Sequence, residues 1–394
     1  MKDVVIVNGA RTPIGRFGGA FKDLRASDLG AIAITAALTR SGLAPELVDE
    51  VILGNVLQAA ETGYTARRAM LAAGIPASVP AMTVNRACSS GLESINLAVQ
   101  SIMTGESEVV VAGGAESMSQ CPYLMNGHRF NGPRMGDVTM TDSLVMGLTC
   151  PIHDYHMGVT AENVAEQFGV SRASQDELAV TSHARALAAQ EAGYFDAQIA
   201  PVSVPQRRGD PVIVTRDEQP RPNTTVERLA KLPTAFKKQG TVTAGNSAGI
   251  NDAAAAVVVM SAEKARALGL TPRLRWVGRG VSGVDPSVMG IGPVPSTRKV
   301  LKKTGMTLDD IDQVELNEAF AAQALYVIRE LGMDIEKTNV NGSGISLGHA
   351  VGATGAIMVV KLMEEMARRD QQRGLVTMCV GGGQGVSTIF ERIS

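Results

Sequence analysis

The second half of this chain repeats the first, and that duplication limits the folds open to it. Asp310-Ile311-Asp312-Gln313-Val314-Glu315-Leu316 echoes Leu47-Val48-Asp49-Glu50-Val51-Ile52-Leu53. Val340-Asn341, leading into a glycine-rich helix start, echoes Val84-Asn85, and Leu375-Val376-Thr377-Met378 stands beside Val109-Val110-Val111. Three echoes in one order at a near-constant offset point to two duplicated α/β domains packed together, with chemistry gathered where matching helix starts meet. Each copy alternates strand and helix. Val4 to Val7 reads as a buried strand, a helix starts at Ser27 and stops at Ser41-Gly42, and Val48 to Leu53 returns as a strand. Between Ser117 and Thr243 the alternation breaks into Gly, Pro, Asn and Met-rich pieces around two helical segments, 160–168 and 174–192, as expected for an inserted lid-like region. It resumes at Ala253 to Met260, and Thr271-Pro272 marks a second boundary. The expected division is 1–118 with 244–271, an insertion at 119–243, and 272–394.

Composition narrows the function. The 394 residues, with 42 glycines and 4% aromatics, suit a compact α/β protein built on small residues and tight turns. A net charge of −2 with interspersed signs offers no field for a phosphate backbone, so nucleic acid is not an expected partner. Cys88, Cys121, Cys150 and Cys379 have no CxxC spacing, which argues for a reducing compartment and against structural zinc. The strand-like start and the absence of a long apolar run lead to the expectation of a soluble, cytoplasmic protein without membrane partners.

Cys88 is the first candidate for chemistry. Val79 to Val84 reads as extended, while Leu92, Ile95, Val99 and Ile102 recur on one helical face, so the thiol stands where a strand turns into a helix. Unpaired N–H groups and the dipole at a helix start are expected to depress its pKa. A free cysteine is more often a small buried hydrophobe, so partners elsewhere must support a catalytic reading. Three stretches carry polar groups outside an apolar pattern: Asn317-Glu318-Ala319-Phe320, the run from Gly342 through Gly348-His349 to Gly352, and Met378-Cys379-Val380-Gly381-Gly382-Gly383. The last is not a phosphate loop. No Gly-Lys-Ser/Thr follows, and Val386 to Ile393 continues as a strand.

Taken together, Asn85-Arg86-Ala87-Cys88-Ser89-Ser90-Gly91, Ala112 to Met118, Asn317 to Phe320, Gly348-His349 and Cys379 to Gly383 resemble the thiolases, most closely their biosynthetic acetyl-CoA acetyltransferase branch. The resemblance spans nearly the whole chain and implies a five-layered α-β-α-β-α arrangement with a loop domain inserted in the first half. It implies that Cys88 takes an acyl group from an acyl-CoA, His349 activates the thiol, and Cys379 acts as acid and base. Asn317 would position a water at the enolate, and the N–H groups of Cys88 and Gly381 would hold the tetrahedral oxyanion. Coenzyme A contacts map to His156, Met157, Arg221, Phe236, Ala244, Ser247, Ala248 and Phe320. Arg228 and Ala248 depart from the family's usual small polar residue and serine there. Ala350 replaces a common proline, and Gly342-Ser343-Gly344 alters the usual Gly-Gly-Ala, so the loop carrying His349 is expected to be less rigid.

The implied reaction is condensation of two acetyl-CoA molecules to acetoacetyl-CoA and CoA, with no metal or redox cofactor. Met157 favours short chains over a degradative 3-ketoacyl-CoA thiolase, and a noncatalytic acyl-CoA or lipid binder would have no reason to keep both cysteines with His349. The family's usual state implies a homotetramer, with Gly127 to Gly147 resembling its assembly loop. Two thiols meeting at one substrate carbon would also be placed to close a Cys88–Cys379 disulfide under oxidation.

Overall fold

The protein is described here from a computed structural model covering residues 2–393. Its first half contributes strands β1 (Val4–Arg11), β2 (Glu50–Gly54), β3 (Ala81–Val84), β4 (Val109–Ser117) and β5 (Asn251–Ser261). The second contributes β6 (Leu274–Gly283), β7 (Gln313–Leu316), β8 (Arg373–Val380) and β9 (Gln384–Arg392). They hydrogen-bond in the order β7-β8-β9-β6-β1-β5-β4-β2-β3, and the short strand Gly15–Arg16 also pairs with β5.

This order carries the duplication. Reading outward from the antiparallel β1/β6 junction, where Val5 meets Arg275 and Ile6 meets Leu274, each half runs first strand, last strand, next-to-last, second. Both second strands follow a single 3-10 turn, Pro45–Leu47 in one half and Leu308–Asp310 in the other, so the first echo is structural. The copies differ at the sheet edge. The counterpart of β3 in the second half is a lone parallel bridge between Val314 and Thr338.

Helices α1 (Ala26–Ser41), α2 (Thr65–Ala72), α3 (Ser90–Thr104), α4 (Met157–Phe168), α5 (Arg172–Glu191), α6 (Pro293–Thr304), α7 (Ala321–Leu331) and α8 (Thr354–Arg368) cover the sheet. The equivalent helices α3 and α8 form the middle layer. Leu92, Ile95 and Val99 pack with Ile357, Val360 and Met363 against one face of both half-sheets. The other face of the first half is covered by α1 and α2, and that of the second by α6 and α7. Consecutive β5 residues alternate between the two cores, Ala255 and Val257 inward, Ala256 and Val258 outward. A strand buried on both faces must be apolar throughout, which is why β5 reads as an unbroken run rather than an alternation. The result is the five-layered α-β-α-β-α arrangement that the resemblance implied.

The helices of the insertion run Met157–Phe168 and Arg172–Glu191, each starting two or three residues earlier than the sequence pattern suggested. The N-caps account for this: the His156 ring accepts from Gly158 N–H, and the Ser171 hydroxyl accepts from Ser174 N–H. The segment is anchored below by Arg11, whose guanidinium binds both oxygens of Asp217 at 2.7 and 2.9 Å with both side chains fully buried. Among the described residues, no helix is long and apolar enough to cross a membrane.

Candidate active site

A cavity of about 520 Å³ opens where the insertion meets both halves. The first half contributes Cys88, Val56, Leu57, Ala244, Ser247 and Ala248, the second His349, Val351, Phe320 and Gly381, and the insertion His156, Met157, Arg221 and Phe236. Eleven of the fourteen residues singled out in the sequence therefore share one lining. Asn317 and Cys379 lie directly behind it, both fully buried. Cys379 packs with Met157, Phe236, Met289 and Phe320. Arg228 is not part of the lining; it is exposed, and its guanidinium donates to Asn223 O.

Cys88 sits in a turn between β3 and α3 that is held by its own short side chains. Ser90 Oγ accepts from Arg86 N–H at 2.8 Å and donates to Ala87 O at 2.7 Å, Asn85 Oδ1 accepts from Ala87 N–H, and Ala87 adopts a φ of +41°. The features of this turn that the sequence left unassigned, Arg86 and Ser89, are structural. Ser89 Oγ donates to Arg86 O, and the Arg86 guanidinium reaches Glu93 and, in the other half, Gln384.

The expected depression of the Cys88 pKa does not occur. Burial is the largest influence and pushes the thiol up; the N–H groups of Gly381 and of Cys88 itself pull it down by less, and the Glu116 carboxyl adds to the rise. Desolvation of a thiolate by the surrounding apolar walls outweighs a helix start here, although Cys88 is only partly buried. The same N–H pair expected at an oxyanion does point at the sulfur.

His349 is buried and neutral, its pKa brought down by burial to about 4. Its Nδ1 lies 2.7 Å from Thr354 Oγ1, and that hydroxyl donates to Ala350 O at 2.9 Å. The hydroxyl hydrogen being used, the pattern assigns the ring proton to Nδ1 and leaves Nε2 unprotonated, an acceptor. Asn317 Nδ2 stands 3.4 Å from Nε2, and Asn317 Oδ1 is buried with no protein partner among the described residues. Burial and the neighbouring Cys88 raise the pKa of Cys379.

The loop carrying His349 is not the loosened segment expected from Ala350 and Gly342-Ser343-Gly344. His349 N–H donates to Asn251 Oδ1 at 3.0 Å, Ser343 Oγ donates to Leu316 O at 2.9 Å, and Ala350 is fully buried. Hydrogen bonds to both halves supply the rigidity a proline would otherwise give.

Several contributors carried little sequence signal. Thr354, the first residue of α8, lies five residues after His349, and Gln323 positions the Asn317 backbone through Nε2–H to Asn317 O at 3.1 Å. Leu148, Met289 and Ile250 complete the apolar wall. On the insertion side, the His156 ring stacks on Phe236 with centroids 4.8 Å apart, and Phe236 meets Phe320 edge-on. Segment 244–250 docks on the second half through Ala248 N–H to Ala319 O at 3.0 Å.

The thiolase N-terminal domain model matches residues 4–263 and the thiolase C-terminal domain model residues 270–392. The chain is 51% identical to the acetyl-CoA acetyltransferase of Cupriavidus necator and 52% identical to a probable acetyl-CoA acyltransferase of Staphylococcus aureus, each over the full length of both proteins. Among solved structures, the Bacillus anthracis acetyl-CoA acetyltransferase superposes with a TM-score of 0.97 at 49% identity, covering 100% of this chain and 99% of that one. Human mitochondrial 3-ketoacyl-CoA thiolase superposes at 0.96 with 45% identity, again covering 100% and 99%; it has also been solved in complex with CoA. Domain matches from end to end and full-length likeness at about half identity place this chain in the thiolase family.

Proposed function

We propose that the protein is an acetyl-CoA C-acetyltransferase, condensing two acetyl-CoA molecules reversibly to acetoacetyl-CoA and CoA. The observation that carries this reading is a single apolar cavity in which Cys88 of one half and a neutral His349 of the other face one space, with the Gly381 and Cys88 N–H groups turned to the sulfur. His349 Nε2 takes the thiol proton as Cys88 Sγ attacks the thioester carbonyl. The N–H pair stabilises the oxyanion, each donor being worth about 3 kcal/mol of barrier. The C–S bond to CoA breaks, and Cys379 protonates the departing thiolate, a role its raised pKa suits. The Cys379 thiolate then removes an α-proton from the second acetyl-CoA. The enolate, held by protonated His349 and a water on Asn317 Oδ1, attacks the acyl carbon. Cys88 leaves and recovers its proton from His349, so both thiols are restored. Acetyl-CoA, acetoacetyl-CoA and CoA are the substrates and products; no separate cofactor takes part.

In this reading 119–243 is an inserted domain that contacts CoA through His156, Met157, Arg221 and Phe236, while Ala244, Ser247, Ala248 and Phe320 complete the cleft. Arg228 meets only the part of CoA outside the cavity. Residues 1–118 with 244–271 and residues 272–394 form the duplicated domains. A homotetramer is supported by the exposed apolar side chains of Tyr123, Met125, Phe130 and Met135, and light scattering tests it. A cytoplasmic location is supported by four free cysteines.

The alternative to this reading is a degradative 3-ketoacyl-CoA thiolase that prefers longer acyl chains. Thiolysis rates along a chain-length series of 3-ketoacyl-CoA decide between them. The first reading requires acetoacetyl-CoA to be the best substrate; a rising series overturns it, and no CoA release with any substrate would indicate a noncatalytic binder.

A further inference from the structure

Glu116, near the end of β4, has no role in the chemistry above, yet it is fully buried beside the nucleophile. Its carboxylate accepts four hydrogen bonds from two loops. From the first half come Val56 N–H at 2.9 Å, Leu57 N–H at 3.1 Å and Asn55 Nδ2 at 2.7 Å. From the loop carrying His349 comes Gly352 N–H at 2.9 Å. Val56, Leu57 and Val351 are cavity walls, and Val56, Leu57, Cys88 and Val351 pack in one apolar cluster. No side chain fits between the halves here: a Cβ on Gly114 would lie 2.1 Å from Gly352 O, and one on Gly352 would lie 2.6 Å from Glu116 Oε2. Only an acceptor with two oxygens and no hydrogens serves all four donors at once.

We propose that Glu116 is a positioning residue: its ionised carboxylate ties the Val56-Leu57 wall of one half to the Val351-Gly352 wall of the other, and thereby sets the pocket around Cys88. The titratable groups facing it are Cys88, Cys121 and Asp252. Burial brings the Glu116 pKa up to about 7 against the pull of its donors, so the tie is made and broken near neutral pH. Protonation puts a hydrogen on one oxygen and costs at least one of the four bonds.

The test compares wild type, Glu116→Gln and Glu116→Asp. The turnover arm rests on the proposed function; the alkylation arm, iodoacetamide at Cys88, needs no CoA substrate and so fails independently of that reading. Glu116→Gln is expected to lower kcat/KM for acetoacetyl-CoA thiolysis by about 10- to 100-fold at pH 8. It should also abolish the fall in wild-type kcat/KM below about pH 7, and move the Cys88 alkylation profile to lower pH because a negative neighbour is gone. Wild-type kcat/KM with an unmoved alkylation profile in Glu116→Gln overturns the proposal. Glu116→Asp keeps the charge but withdraws it by one methylene. It should lose kcat/KM while leaving the alkylation profile where wild type has it, and full activity in that variant overturns the proposal even where Glu116→Gln does not fold.

Discussion

The same connection is built in opposite ways in the two halves. Between the last two strands of the second half, β8 and β9, the chain turns through Gly381-Gly382-Gly383, with φ of +82° and +86° at the last two. Between β4 and β5 of the first half it leaves at Ser117 and returns at Asn251, and the intervening segment supplies most of the cavity's apolar cover. The tight turn aims the Gly381 N–H at the Cys88 sulfur; the long excursion encloses the space in front of it. Duplication supplied two equivalent slots, and the cleft between the halves needed a rigid donor from one and a shaped cover from the other.

The comparison can be broken most directly at the nucleophile. Cys88→Ala is expected to abolish the acyl-enzyme, read by mass spectrometry of the intact protein, and to lower turnover by about a thousandfold or more. Retained acylation would remove the reason for treating the Gly381 turn as a donor.

The cover is anchored by a buried ion pair, so Arg11→Met, which leaves the Asp217 charge with the Ile14 N–H but no cation, should cost about 3 to 5 kcal/mol in urea unfolding. A smaller loss would mean that the insertion is held chiefly by its contacts with the second half.

Left-handed glycines separate the two constructions further. Gly383→Ala would put a Cβ 2.4 Å from Val284 O and 2.8 Å from Pro286 N, and should cost about 3 kcal/mol and much of the activity. Gly209→Ala in the insertion has a similar φ of +85° but open space around it, and should cost about 1 kcal/mol with activity kept. Equal effects would show that the turn is not the tighter of the two.

His183, buried under the insertion on α5, accepts from Arg221 N–H at 3.1 Å and has a pKa brought down by burial to about 4. A histidine held neutral when folded binds its proton more readily unfolded. Its contribution is therefore present above the ordinary value of 6.5 and lost as pH falls toward 4, by no more than about 3 kcal/mol. Glu116, with a raised pKa, works in the opposite sense over a similar range. Melting temperatures at pH 7 and pH 4.5 should therefore fall less in His183→Gln than in wild type; an identical fall would rule out His183 as a source of acid lability.

Much of this was legible in the residues. Period and punctuation located β1, α1, the Cys88 turn and the β9 strand, because local patterns reflect which faces are buried. The second part of the long strand β6, with Arg279 and three glycines, has no strand pattern of its own and is extended by pairing with β9. Glu116 and Thr354 were passed over for a related reason. A carboxylate among glycines and a threonine at a helix start have ordinary local explanations, and only neighbours far along the chain give them partners.

Order and spacing along the chain pointed to a duplicated architecture with an insertion, and the resemblance to the thiolases joined Cys88, Asn317, His349 and Cys379 as one set. Repetition and motifs are both written linearly. Protonation was not accessible that way. A helix start favours a thiolate, but Cys88 is partly buried beside Glu116, and desolvation outweighs the dipole. The unprotonated Nε2 of His349 likewise depends on Thr354 and Ala350 being folded against Nδ1. Desolvation and hydrogen-bond direction are properties of the assembled interior, because they depend on which groups the rest of the chain brings near and which it removes from water.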